Sequence, residues 1–124
     1  MDSILTSIKK LLGIDESYTH FDADIILHIN SVFSILTQLG VGPKEGFFIE
    51  DDSTEWTEFL SDSPKLNFVK SYVQLKVRLL FDPPDKGSLM DALTRTISEL
   101  EWRIQVSADP VKTNGEEENQ NVGV

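Results

Sequence analysis

Residues 64–85, PKLNFVKSYVQLKVRLLFDPPD, form a long apolar-periodic run that stops against two prolines. Ser63 followed by Pro64 has the makeup of a helix start, with serine as cap and proline at the first helical position, where a missing N–H costs nothing. Leu66, Val69, Val73, Val77 and Leu80 then fall on one line of a helix, and Phe68, Tyr72, Leu75 and Leu79 on a second. At about 100° per residue the two lines merge into an apolar arc of roughly 200°, wider than the single stripe of a surface helix. The spacing therefore predicts a central helix covered on two sides. Pro83 disfavours helix at Asp82, and neither proline donates a backbone hydrogen bond, so the chain leaves the helix at FDPP and turns a corner. Lys76 falls in the middle of the arc, between Val69, Tyr72, Val73 and Leu80. The plainer reading is a packed stem with the ammonium reaching water. The other is a charge pair across a subunit boundary, because an unpaired buried charge is strongly unfavourable.

The flanking segments read as further helices. In SILTSIKKLLG, residues 3–13, Ile4, Leu5, Ile8, Leu11 and Leu12 share a face, Gly13 supplies the stop, and Lys9 and Lys10 favour the negative end of the helix dipole. Thr19 and Asp22 have the spacing of a capping box ahead of Phe21, Ile25, Ile29, Val32, Leu36 and Leu39, a stripe closed by Gly40. Between Gly40 and Pro64 the periodicity breaks. The triplet Phe47–Ile49 suits a short extended segment, and Asp52 with Glu55 again has capping-box spacing before a short helix that turns Trp56, Phe59 and Leu60 inward. The last helix begins near Ser88, with the stripe Leu89, Leu93, Ile97, Leu100 and Ile104, while Trp102 falls on the far side beside Arg95, Glu99 and Val106. The expected fold is all-α: a small bundle of four main helices plus a short one, a long loop between the second and third main helices, and an extended C-terminal tail. Residues 1–106 form the helical domain. Residues 107–124 are polar and acidic, a composition expected to be disordered unless a partner holds it.

Composition narrows the function. The 124 residues hold 21 acidic and 11 basic side chains, and no basic run exceeds Lys9–Lys10. A protein that binds duplex DNA carries a basic patch to neutralise phosphates, so this chain is not expected to bind DNA in the ordinary way. No apolar run approaches the roughly 20 residues that cross a bilayer. The N-terminus, with lysines after its first apolar residues, is not expected to be a signal peptide. The absence of cysteine removes disulfides and thiolate metal sites, and fits a reducing cytoplasm.

Catalytic motifs are lacking. Asp24 and His28 share one helix face at i, i+4, but a metal needs at least three ligands in practice, so His28 and His20 read as structural. Glu50–Asp52 lacks the pattern of a calcium loop and suits a helix N-terminus instead. No nucleophile elbow, phosphate loop or dinucleotide fingerprint occurs, and no enzyme, cofactor or metal is expected. A long loop in a small domain and a tryptophan on a polar helix face both suit protein–protein contact.

The order of ILTSIKKLLGI, FDADIILHINSVFSILTQLGVG, LNFVKSYVQLKVRLLFDPP and SELEWRI resembles the small helical head–tail connector (adaptor) proteins of tailed bacteriophages and prophages. The most telling parts are the helix ending at Phe81–Pro84 and the run Glu101–Arg103; the tail after Ala108 lies outside the resemblance. What it implies is a structural virion protein, assembled in the bacterial host cytoplasm and located at the head–tail interface. Such proteins add a ring, twelvefold like the portal, beneath the portal of a packed head. The ring extends the DNA channel and receives the next connector or stopper and then the tail. On that footing Trp102, Val106, Pro110 and Val111 are expected to meet the portal protein. Lys76, Phe47, Phe48, Glu50 and Asp51 are expected to meet neighbouring copies or the next ring. DNA passes through such a channel without specific binding, which an acidic protein suits. The competing reading is a small acidic protein-binding adaptor or regulatory domain with no virion role, since helical bundles host many functions.

Overall fold

A computed structural model describes residues 3–61 and 64–108. The elements are α1 (Ile4–Leu11), α2 (Asp22–Gln38), α3 (Trp56–Phe59), α4 (Pro64–Phe81) and α5 (Gly87–Ala108). No strand occurs among the described residues; one isolated bridge joins Ser3 to Glu55. The fold is an all-α bundle, as the periodicity predicts. Pro64 opens α4 as expected, while Ser63 and the tail beyond Ala108 lie outside the described residues. α5 continues two residues past the expected domain end at 106.

α4 is the central element and packs against α1, α2 and α5. It buries Leu66, Val69, Tyr72, Val73 and Val77, opposite Ile25, Ile29, Val32, Phe33 and Leu36 of α2 and Ile4, Leu5 and Ile8 of α1. The buried arc is narrower than the sequence predicts. Phe68 and Leu80 are more than two-fifths exposed, and Leu75 and Leu79 are only partly covered. The reason is that α5 contributes little cover, since Ile97 and Ile104 are its fully buried side chains among those described, residues 87–106. Leu89, expected on its inward stripe, stands exposed at the corner. Leu11 is likewise exposed on α1.

The helix stops at Gly13 and Gly40 form as expected. Both residues have φ near +80°, a left-handed conformation that a glycine adopts without Cβ strain. Each N–H bonds back into the last turn, Gly13 to Lys10 and Gly40 to Thr37. The following residues reach one carbonyl further, Ile14 to Lys9 and Val41 to Leu36, completing a Schellman motif at both ends.

The capping boxes differ from expectation. Phe21, not Thr19, precedes α2, and no side chain caps it. Asp22 is instead drawn to Lys9, whose side chain is 3% exposed. Lys9 Nζ lies 2.8 Å from Asp22 Oδ1 and donates to the carbonyl oxygens of Glu16 at 3.0 Å and Tyr18 at 2.7 Å. Among the described residues the buried lysine is thus Lys9, while Lys76 is only half-buried on α4. At α3 the cap moves from Asp52 to Glu55, whose N–H donates to the Glu58 carboxylate at 2.9 Å.

The connection between α2 and α4 has no extended strand at Phe47–Ile49, but it is pegged at both ends. The Asn30 side-chain amide accepts from the Ile49 N–H at 2.8 Å and donates to the Ile49 carbonyl at 3.0 Å, acting as a one-residue β-partner. Ile4 N–H bonds Thr54 O at 3.0 Å, and the buried Trp56 donates through Nε1 to Ser7 Oγ at 2.9 Å. Phe33, which the stripe for α2 omits, forms an aromatic centre with Phe47, Trp56 and Phe59.

Lys9→Ala leaves the Glu16 and Tyr18 carbonyls without their donor and Asp22 without its cation. It is expected to cost about 3 kcal/mol, the lower end for a broken buried pair because Asp22 is partly exposed. Lys76→Ala is expected to cost no more than about 1 kcal/mol. Urea unfolding of the two variants, compared at constant m-value, measures the difference.

Candidate docking surface on helix α5

The first residues of interest lie at the corner between α4 and α5. The Asp82 N–H closes α4 on the Arg78 carbonyl at 2.8 Å, and Pro83 and Pro84 then carry the chain away from the helix axis. Phe81 anchors the corner, its ring edge-on to both Phe21 at 5.6 Å and His28 at 6.2 Å. His20 packs on Tyr18 and Phe21 in the same cluster. Both histidines are therefore aromatic packing residues. Among the described residues no group of three or more His, Cys, Asp or Glu is arranged to hold a metal ion.

From this corner α5 runs back along α4, and one polar bond fixes its rotation. Tyr72 is buried on α4, and its hydroxyl donates to Glu101 Oε2 at 2.7 Å. Burial, reinforced by the hydrogen bond to the Glu101 carboxylate and its negative charge, pushes the Tyr72 phenol well above its ordinary value, so it remains a donor. With Glu101 turned inward, the next residue must point away. Trp102 is 65% exposed and Val106, one turn on, is 40% exposed. Arg95 and Glu99 share that face, and Glu99 is also ion-paired with Arg103 at 2.8 Å. An exposed tryptophan beside a valine and mixed charges has the makeup of an interface anchor, an apolar centre with a charged rim.

The other expected contact residues are dispersed. Phe47 packs its ring between Phe33 and Phe59 at 5.1 Å from each, whereas Phe48 beside it is 66% exposed. Glu50 and Asp51 are exposed, and Asp51 Oδ1 accepts from both the N–H and the hydroxyl of Ser53, which holds its carboxyl below the usual range. Lys76 is on α4, remote in sequence from that loop. Pro110 and Val111 lie outside the described residues. Sequence reasoning missed the Tyr18–Phe21–Phe81 cluster, where Tyr18 is half exposed and Phe21 37% exposed. The aromatic spacing around Thr19 was the available signal.

A polar hollow of about 580 Å³ lies between α1 and the segment before α3, lined by Ser3, Thr6, Ser7, Lys10, Glu16, Asp52, Ser53 and Glu55. Its hydroxyls have no imidazole beside them of the kind that activates a serine nucleophile, and Ser7 is committed to Trp56 and the Ile4 carbonyl. No helix of the described residues is long and apolar enough to cross a membrane.

Tyr72→Phe removes the bond that sets the rotation of α5 and leaves Glu101 without its donor. A loss of about 2 kcal/mol is expected, in line with a hydrogen bond to a charged group. The native phenol holds its proton above pH 10.0, where the unfolded chain releases it. The Tyr72 contribution is therefore full below that pH and lost as pH rises further. Chemical denaturation from neutral to alkaline pH is expected to show this fall in the parent protein and less of it in the variant.

Comparison with curated proteins gives no significant match, nor does comparison with solved structures. Comparison with family models matches residues 4–111 to one described as phage connector protein. That span takes in all five helices, the FDPP corner and the Glu101–Arg103 run, and ends at Val111. It agrees with the resemblance seen in the helices and extends it three residues past Ala108, into the tail that the resemblance left out, and the chain belongs to the phage connector protein family.

Proposed function

We propose that this connector protein forms a ring beneath the portal of a packed phage head, extending the DNA channel and presenting a seat for the next connector or stopper and the tail. The observation that carries the reading is the exposed pair Trp102–Val106 on a helix whose opposite side is locked by Tyr72, within a chain matched to the connector family over residues 4–111. This face is the portal-binding surface, continued by Pro110 and Val111. A closed ring needs two different faces on each subunit, because a heterologous contact closes by rotation. The pegged segment carrying Phe48, Glu50 and Asp51 supplies one of them, with Lys76 and the exposed side of α4 as the other. Phe47 supports Phe48 from within the subunit. Twelve copies match the symmetry of the portal. The net charge of −10 keeps DNA from adhering to the channel as it passes.

The test is to mix the protein with portal-bearing, tail-less capsids and image the vertex. New ring density below the portal is expected, and its absence with the parent protein rejects the proposal. Trp102→Ala is expected to fold normally yet lose most attachment, since a central interface tryptophan typically contributes 2 kcal/mol or more, roughly thirtyfold. Lys76→Met is expected to weaken ring closure while leaving single-subunit stability within about 1 kcal/mol. Normal ring density with that variant removes Lys76 from the subunit contact.

A further inference from the structure

A second hollow, apolar and about 200 Å³, opens between the first turn of α4 and the last turns of α5. Phe68 and Ile104 supply its apolar lining, and Lys65 and Arg103 flank it with positive charge. It is larger than the ~150 Å³ cavity that admits a benzene ring, so a small aliphatic side chain fits. In a protein of net charge −10, a greasy notch between two cations selects a particular ligand: an aliphatic residue followed by carboxylates.

The chain carries such a segment directly after α5. Between residues 109 and 124, Pro110 and Val111 come first. The acids Asp109, Glu116, Glu117 and Glu118 outnumber the single base Lys112. Ile104 lies four residues before the end of α5, a rise of about 6 Å. Val111 lies three residues beyond that end, and three residues span up to about 10 Å. A return to the hollow is within reach of the same chain. The family match also extends past α5, ending at Val111. Among the described residues Arg103 is held by an exposed i, i+4 pair with Glu99, the kind of pair that is weak enough to be exchanged.

We infer that this hollow is a docking site for the chain's own C-terminal segment, with Val111 seated on Phe68 and Ile104 and the Glu116–Glu118 run facing Lys65 and Arg103. The site adjoins the Trp102–Val106 face, so a docked segment stands at the edge of the portal-binding surface in the free subunit. The inference needs no portal and stands or falls apart from the ring proposal.

The test uses the full-length chain alone, diluted, and treated with a carbodiimide reagent that joins an amine to a carboxylate in direct contact. Mixing unlabelled with isotope-labelled protein separates links within one chain from links between chains. Links from Lys65 to Glu116, Glu117 or Glu118 within one chain are expected, and Val111→Asp is expected to abolish them. In that variant, amide exchange across residues 65–68 and 103–106 is expected to quicken roughly tenfold, equivalent to 1.4 kcal/mol. Absence of the links together with unchanged exchange overturns the inference. Links that persist in Val111→Asp overturn the apolar seat. Links found only between chains give the hollow to a second copy and overturn docking within one subunit.

Discussion

The ammonium of Lys9 is the point around which the N-terminal half is arranged. Three oxygens lie within 3.0 Å of it, from Glu16, Tyr18 and Asp22, and water scarcely reaches it. A buried cation tolerates no vacancy among its partners, so the turn after α1 must wrap over it and deliver Asp22 to the start of α2. Fixing that turn fixes the approach of α1 to α2. α1 in turn carries Ser7, which holds Trp56, and Ile4, which holds the backbone at Thr54. The long connection between α2 and α4 is therefore ordered from outside itself, by polar pegs on helices already placed. Its exposed features, Phe48 above all, sit on a fixed base.

The C-terminal half is built on a different balance. α4 is shared between α1, α2 and α5, but α5 returns little apolar area to it. The FDPP corner, braced by Phe81, sets where α5 starts, and the Tyr72–Glu101 bond sets which face it turns inward. The consequence is a long helix that, over residues 87–106, buries Ile97 and Ile104 fully and leaves a tryptophan in water. Such a helix is underused by the monomer.

Much of this was legible in the sequence, for reasons visible in particular residues. Gly13 and Gly40 marked helix ends because a left-handed residue is needed there, and the α4 boundaries followed from Pro64 and the two prolines after Asp82. Trp102 was legible as outward-facing because the helical count alone puts it opposite Ile97 and Ile104. The buried lysine was not legible. Both lysines have apolar neighbours on their helices, Leu5 and Leu12 beside Lys9 and Val69 to Leu80 around Lys76, yet burial depends on what the chain brings over the helix, and over Lys9 that came from Glu16–Asp22. The capping spacings at Thr19 and Asp52 were misleading for a related reason. Asp22 had a stronger partner in Lys9, and Glu58 supplied the α3 cap three residues later than expected.

By itself, then, the sequence determined the helices, their order, their stops and the family, because periodicity, glycine, proline and short-range spacing act within a few residues of chain. Tertiary structure alone decided which polar groups are buried, how the long connection is held, and how much of α4 and α5 remains uncovered. Those outcomes depend on partners distant in sequence: Asn30 with Ile49, Ser7 with Trp56, Tyr72 with Glu101. No local pattern announces such pairs, since each is formed by two ordinary residues that only the packing of separate helices brings within hydrogen-bonding distance.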